Sequence, residues 1–419
     1  MYIHEYQAKQ ILREHGIPVP PGSVAASVDE ALHVAASLDA NRWAIKAQVY
    51  SGGRGAGHFR GQDSSQGGVR IVVTLDEVKR NSAEMLGQVL ITDQTGSAGR
   101  KVERLYIESG CDVKRELYLA MLVDRATSQM LLVASAKGGQ DIEKIAAEDP
   151  DAILRIPIDL LTGPIDGEIR TAVSTFDLPN EQVEQIVGIV NSMFKLFTSL
   201  DCSLIEINPL AITRQGEMLA LDAVVSFDDN ALFRHPDIRG LRDEAQLPPG
   251  MLRASIHGIN YVKLDGDIAY MANGAGLALA TLDAIRYAGG NPANFLDLPP
   301  VVESAIVRDA FKLLTSDPDA KAILVNIFGG GIMRCDTVAD SILTALHEEP
   351  LKIPLVVRLT GINAEVGLRR LKDSGHDIRF AKSLTEVANL AVEAARERKL
   401  DRQESWWKRV NSLFGGDGK

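Results

Sequence analysis

Cysteine is scarce. The chain has three cysteines in 419 residues (Cys111, Cys202 and Cys335), with no paired spacing among them. No disulfide framework or zinc site follows, and a reducing compartment is expected. An excess of positive charge is also missing. The formal net charge is −11, which argues against a nucleic-acid binder working by broad phosphate neutralisation, while leaving room for a local basic pocket that takes a nucleotide. No run approaches the ~18 apolar residues that a membrane span needs. The opening MYIHEYQAKQILREHG carries charges every few residues and no apolar stretch, so it does not read as a signal peptide. A cytoplasmic or matrix-like setting is expected. A nucleophile is missing as well. None of the eight histidines falls within Gly52–Gly55, Asn273–Gly276 or Gly329–Gly331 or beside the carboxylates described below, and no G-x-S-x-G elbow occurs. His4, His15, His33 and His347 sit in helical patterns, and the others in polar or turn contexts, where surface or cap roles are expected.

What is present has the balance of a globular chain, 45 % apolar and 24 % charged. Its length calls for two or three domains. The first part predicts helices over Glu5–His15 and Val28–Leu38, then a strand at Trp43–Val49. Ser51–Arg70 is glycine-rich and polar, and reads as a mobile loop rather than a core element. Arg104–Glu108 reads as a strand. Glu116–Val123 and Met130–Ser135 flank a polar turn and predict an antiparallel hairpin. A helix near Gln182–Thr198 precedes SLIEINPLAI and MLALDAV, a second pair of strands. Such mixed strands with helices outside define an α+β region, taken as residues 1–245.

The character changes at the proline-bearing segment Leu241–Ser255, read as a linker. Beyond it, strand, glycine turn and helix alternate three times, through IAYMA with NGAG, AILVNIF with GGG, and LVVRL with TGINAE. This is the rhythm of a doubly wound parallel sheet over residues 256–398, whose ligands gather at the carboxyl ends of the strands. In residues 399–419, Trp406, Trp407, Val410, Leu413 and Phe414 share one helical face, an amphipathic tail expected to pack on its own domain or on a neighbouring subunit.

Several residues have the types and spacing that chemistry needs. Lys46 lies in a strand beside the glycine loop, where it can reach nucleotide phosphates or merely be solvated. Gly52-Gly53-Arg54-Gly55 can close over phosphates with backbone N–H groups, yet matches neither the Walker pattern nor G-x-G-x-x-G. Glu206 and Asn208 point the same way from an otherwise apolar strand, and Asp222 interrupts the strand facing it. Oxygen donors converging from paired strands suit Mg²⁺, which takes a few protein oxygens and completes its shell with phosphates. In the second half, Asn273-Gly274-Ala275-Gly276 and Gly329-Gly330-Gly331 both stand at strand-to-helix turns, where helix N-termini offer anion sites.

Together these segments resemble the succinate–CoA ligase (succinyl-CoA synthetase) beta-subunit family, from residue 1 to about residue 398. The signatures are HEYQAK, KAQV with GGRG, ELYL, DIEKIA, LIEINPL, DDNALFRHPD, NGAGLA, PANFLD, and VNIFGG with RCD, in that order. The resemblance implies an α+β ATP-grasp domain followed by an α/β flavodoxin-like parallel-sheet domain. It implies ATP contacts at Lys46, Gly53, Arg54, Gly55, Glu108 and Glu116, with Cys111 supplying backbone. It implies Mg²⁺ on Asn208 and Asp222, and an orienting role for Glu206 toward a phosphohistidine. Asn273 and the turn Gly330-Gly331-Ile332-Met333 would face a small carboxylic acid. In this family the phosphohistidine belongs to an alpha subunit that also holds most of the CoA, which accords with the missing nucleophile. The implied cycle runs from ATP to the partner's histidine, then to an acyl phosphate, then to attack by the CoA thiol. Pro20 fits the ATP-preferring members. A nucleotide-binding paralogue without turnover and a stand-alone ATP-grasp ligase are the rival readings.

Four departures from the family pattern stand out. The glycine loop is longer by roughly nine residues, an insertion of low entropic cost. A usual lysine is Val224. The usual run Asp-Val-Gly-Gly-Gly-Ala is Asp297-Leu298-Pro299-Pro300-Val301-Val302, which trades N–H donors and freedom for fixed φ. The usual Gly-Gly-Ile is Gly-Gly-Gly-Ile. The last two fall in the acid-binding half and suggest a member reshaped for another small acid, such as malate or sulfoacetate.

Overall fold

A computed structural model describes residues 1–61, 66–247, 249–299, 303–330 and 333–398. The chain divides into two compact units, Met1–Gln246 and Leu247–Lys419.

In the first unit the N-terminal helix, Glu5–Glu14, buries Ala8, Ile11 and Leu12 on one stripe and ends at Gly16, whose φ is +77°. Four antiparallel strands follow in the spatial order Gly22–Ala25, Leu105–Ser109, Trp43–Ala47 and Val69–Val72. All five residues of Trp43–Ala47 are buried, Lys46 included. A larger sheet runs Leu154–Ile158, Gln129–Ser135, Val113–Asp124, Cys202–Thr213, Met218–Ala220, and Ala223–Phe227 also pairs with Cys202–Thr213. The helix Asn180–Ser199 packs Ile186, Val190, Met193 and Leu196 into the core it shares with that sheet.

Two expectations are corrected here. Ser51–Arg70 is not simply a mobile loop. It holds a 3₁₀ turn at Arg54–Ala56, a strand at His58–Phe59 paired with Val89–Ile91, and the start of Val69–Val72; residues 62–65 of the insertion lie outside the described residues. Phe59 is fully buried in the apolar core, worth about 2 kcal/mol by itself, and Arg54 is buried among carboxylates. The run MLALDAV is not one strand. It breaks at Leu221 and Asp222 between two strands, which frees both residues to turn toward the site.

The second unit has one sheet, ordered Asn260–Lys263, Asn294–Leu298, Ile268–Asn273, Ala322–Gly329, Leu355–Gly361, Ile378–Phe380. Alternate residues serve opposite faces. Ala269, Met271, Ile323 and Val325 enter one core, and Ile268, Tyr270, Ala272 and Leu324 enter the other, the period-two pattern of a sheet covered on both sides. The five parallel strands follow the flavodoxin order. The sheet is mixed, however: Asn260–Lys263 is antiparallel at the edge, a short strand with three exposed or half-exposed lysine, valine and tyrosine side chains. The presumed linker is also partly helical. Pro249–Ile256 is a helix, and its Ala254 is buried in the core. The tail with Trp406 and Trp407 lies outside the described residues.

Candidate functional site

The first unit buries a connected group of charges at the mouth of its four-stranded sheet. Lys46 Nζ donates to Glu5 Oε1 at 2.9 Å and to Glu108 Oε1 at 2.6 Å, and also to the carbonyl of Leu221. Arg54 donates to Glu5 Oε2 at 2.7 Å, to the carbonyl of Ala47 at 3.0 Å, and to both oxygens of Asp222. Lys9 donates to Glu108 and lies 3.3 Å from Glu5 Oε1. Three cations therefore meet three carboxylates. Burial works against the Lys46 charge, but Glu5, Glu108 and Asp222 together outweigh it and raise its pKa. Burial likewise opposes the Glu5 carboxylate, yet Arg54, Lys46 and Lys9 hold its pKa well below the usual range. Gly53 takes the left-handed conformation, φ +67°, at the entry to the Arg54–Ala56 turn that contains Gly55. Cys111 is half-buried, and its thiol pKa is raised by burial and then by the Glu108 charge.

Beside this group, Glu206 and Asn208 project from Cys202–Thr213, and the Asn208 N–H donates to the carbonyl of Asp222 at 3.1 Å. Burial, then the charges of Glu143 and Asp222, push the Glu206 carboxyl up to about 6, against the opposing hydrogen bond of Asn208. The Asn208 amide clasps a loop: its Oδ1 accepts from Gly139 N–H at 2.8 Å and its Nδ2 donates to the carbonyl of Gln140 at 2.9 Å. Glu116 touches the same loop. A Cβ on Gly139 would lie 2.2 Å from Glu116 Oε2 and would displace that carboxylate, and its φ of +70° favours glycine.

Thus Lys46, Arg54, Glu108 and Asp222 form one bonded group; Glu206 and Asn208 border it at Asp222, and Asn208 and Glu116 meet at the Gly138-Gly139 loop. Sequence reasoning passed over four parts of this arrangement. Glu5 and Lys9 stood in HEYQAK as a signature without a role. The glycine pair after a strand and the acidic residue of DIEKIA, Glu143, were signals not used. His4, expected in a surface or cap role, does stand at the N-cap of the first helix, where its N–H donates to Gln7 Oε1 at 2.8 Å, but it is buried, with Nε2 2.8 Å from Asp243 Oδ2.

Among the described residues no three His, Cys, Asp or Glu side chains gather as a metal cluster. The Asn208 N–H bond to the Asp222 carbonyl sets the two residues side by side, and Asn208 Oδ1 and Asp222 Oδ2 each accept from one donor and keep a lone pair, whereas Asp222 Oδ1 already accepts from Arg54 and from Ala223 N–H. A two-oxygen set suits Mg²⁺, whose remaining ligands are water and phosphate, so the residues fit that ion.

In the second unit, Asn273 ends one strand and Gly329 the next, at the carboxyl side of the sheet where the strand order reverses. The Asn273 amide is fully used there. Its Oδ1 accepts from Phe328 N–H and its Nδ2 donates to the Phe328 carbonyl, both at 2.8 Å. Gly330 is exposed, and its N–H donates to the Phe328 carbonyl at 3.0 Å. Met333 is buried in the core, which leaves only its main chain to face a ligand. Gly331 and Ile332 lie outside the described residues.

The two units are the two halves of a recognised class. Residues 2–212 match the ATP-grasp domain family and residues 271–399 the CoA-ligase family, the combination found in acid–thiol ligases. The subunit beta of ADP-forming succinate–CoA ligase from Paramagnetospirillum magneticum is 50 % identical over 397 residues, covering 95 % of this chain and 100 % of the relative. The protein of the same name from Geobacillus kaustophilus is 46 % identical, covering 94 % and 100 %. The chain belongs to the family of ADP-forming succinate–CoA ligase beta subunits. ATP citrate lyase from Methanothrix soehngenii, solved with citrate and coenzyme A, shares the fold at a TM-score of 0.66 and 19 % identity, covering 94 % of this chain and 99 % of that one. No described helix is long and apolar enough to cross a membrane.

Proposed function

We propose that this chain is the nucleotide- and acid-binding half of a ligase that joins CoA to a small carboxylic acid at the expense of ATP, with an alpha subunit carrying a phosphohistidine. The observation that carries the reading is the buried group of Lys46, Arg54 and Glu108 beside the oxygens of Glu206, Asn208 and Asp222, in a chain of this family. Lys46 and Arg54 take the ATP phosphates, with Gly53 and Gly55 letting the backbone approach. Glu108, Cys111 and Glu116 complete the nucleotide contacts. Asn208 and Asp222 hold Mg²⁺, which when bound neutralises phosphate charge and aligns the transfer. Glu206, half-buried and with its carboxyl pushed up to about 6, accepts in its ionised form a hydrogen bond from the partner's imidazole and orients it toward the terminal phosphate.

At the second unit's turn, Gly330, Gly331, Ile332 and Met333 offer main-chain donors to the acid, and Asn273 stands at their base. Succinate is the acid in the relatives' names. Prolines 299 and 300 and the added glycine change the donors and the length of this half, and they favour a small acid other than succinate, such as malate or sulfoacetate. Co-expression with an alpha subunit, phosphorylation of that subunit by ATP, and CoA-dependent ADP release over a panel of acids test the reading. No phosphorylation of the partner would remove the ligase reading, and strong preference for succinate would remove the reshaped pocket.

A further inference from the structure

The first unit spends one carboxylate on both cations of the nucleotide site. Glu5 is the first residue of the N-terminal helix and is 6 % exposed. Its Oε1 takes Lys46 at 2.9 Å and Lys9 at 3.3 Å, and its Oε2 takes Arg54 at 2.7 Å and Gln48 Nε2 at 3.4 Å. Lys46 has another carboxylate in Glu108, and Arg54 another in Asp222. Neither of those reaches both cations; Glu5 does. Lys46 belongs to a rigid buried strand, whereas Arg54 belongs to the turn that follows Gly53. The carboxylate therefore fixes the separation between a strand cation and a loop cation.

We propose that Glu5 is a positioning residue for phosphate binding, holding the Lys46 ammonium and the Arg54 guanidinium at the spacing that a polyphosphate bridges; this rests on the nucleotide reading given above. A buried charge network is no efficient source of stability, since apolar residues of similar volume often serve as well or better. Its value lies in geometry. Lys46 has three N–H donors, each on a protein oxygen, and Arg54 is held on two carboxylates and a carbonyl, so both are fixed in place and lose little further freedom when a phosphate oxygen takes over one of those bonds. Lys9 supports the same purpose from beneath. It is fully buried between Glu5 and Glu108, and its charge joins those of Arg54 and Lys46 in holding the Glu5 carboxyl ionised.

The test is a double-mutant cycle on the full chain, read by calorimetric titration with MgATP. Glu5→Gln keeps the shape and removes the charge. It should weaken MgATP binding by about tenfold or more, the scale of a charge-assisted hydrogen bond. Lys46→Met should weaken it further, and Glu5→Gln added to Lys46→Met should cost less than it does in the wild type, because the carboxylate then positions Arg54 alone. With the alpha subunit present, Glu5→Gln should raise KM for ATP more than it lowers kcat. A folded Glu5→Gln chain that binds MgATP like the wild type while Lys46→Met does not, or a fully additive double variant, overturns the proposal. Wild-type binding by Lys46→Met would instead remove the nucleotide reading, and the proposal with it. Should Glu5→Gln fail to fold by circular dichroism, Glu5→Asp carries the same cycle with the same two outcomes, since it keeps the charge and shortens the reach by one methylene.

Discussion

Arg54 donates to both carboxylate oxygens of Asp222, at 2.9 and 2.8 Å, across a separation of 168 residues in sequence. The two ends of that pair are not equivalent. The Arg54 side chain is 8 % exposed and that of Asp222 36 %. Arg54→Ala leaves Glu5 short of a partner inside the protein, a loss of about 3 kcal/mol. Asp222→Ala leaves Arg54 still on Glu5 and on the carbonyl of Ala47, a loss nearer ~1 kcal/mol. Urea unfolding followed by circular dichroism should therefore rank Arg54→Ala well below Asp222→Ala. The reverse order would show that the solvent-facing pair, and not the buried one, holds the loop.

Glu206→Gln separates binding from transfer. Glu206 touches no cation in the bonded group, and Asn208 and Glu143 survive its replacement. The variant should fold and bind MgATP as the wild type does. Phosphorylation of the partner subunit should fall by roughly 10² or more, the usual contribution of an orienting acid–base group. Isotope exchange between ADP and ATP in the paired subunits reads that step directly. Undiminished exchange would exclude Glu206 from it.

The candidate site was legible where its signals are local. Lys46 beside a glycine loop, Glu206 and Asn208 two apart on a strand, and the βα rhythm of the second unit all depend on neighbours within a few residues. Glu5 and Lys9 were not legible as functional groups because nothing in EYQAK says that Lys46, Arg54 and Glu108 lie above them; the packing of the first helix against distant elements makes that contact. The cap position of His4 is legible, but its burial is not, since its carboxylate partner lies 239 residues away. The antiparallel strand Asn260–Lys263 was hidden by its short, mostly polar sequence, which carries no alternation. Ser51–Arg70 looked like a loop because glycine dominates its composition, while the two residues that fix it, Arg54 and Phe59, are anchored by distant elements.

Gly139 offers a test of the loop that sequence reasoning passed over. Its φ of +70° disfavours a side chain, and the 2.2 Å approach of Glu116 Oε2 means that one would meet that carboxylate. Gly139→Ala must either strain the backbone or push the Glu116 carboxylate aside, at a cost of about 1–2 kcal/mol. Because the loop is clasped by Asn208, the expected outcome is weakened Mg²⁺-dependent nucleotide binding with only a modest drop in thermal midpoint. A variant that melts lower but binds MgATP normally would separate the loop from the site.

Asn273→Ala removes two hydrogen bonds to the main chain of Phe328, each worth about 1 kcal/mol. The turn that follows loses its anchor across the crevice between two strands. KM for the acid should rise by about tenfold, while MgATP binding by the first unit should not change. Asn273→Asp should be no better, because its second oxygen would face the Phe328 carbonyl where the amide donated. Steady-state kinetics at varied acid, with calorimetry for the nucleotide, distinguish the two effects; a parallel loss of both affinities would mean that Asn273 matters to the fold as a whole.

His4 should make the first unit acid-sensitive in a predictable direction. A carboxylate only accepts, so the neutral ring donates from Nε2 to Asp243, and its Nδ1 is buried with no partner. Protonation would place an unpaired N–H at Nδ1. Burial is the main cause of a pKa below 6.5, with the Arg104 and Arg54 charges adding to it and Asp243 opposing. The unfolded chain then binds this proton at a higher pH than the folded one, so the stabilisation is complete above 6.5 and is lost as pH falls toward the folded value. The Asp243 carboxyl, kept below its usual range because His4 and Arg104 outweigh burial, titrates lower and leaves this window clear. His4→Gln, which can still donate to Asp243, should flatten the dependence of the thermal midpoint on pH between about 7 and about 5. Parallel curves for the wild type and His4→Gln over that range would show that this ring does not change its protonation on unfolding.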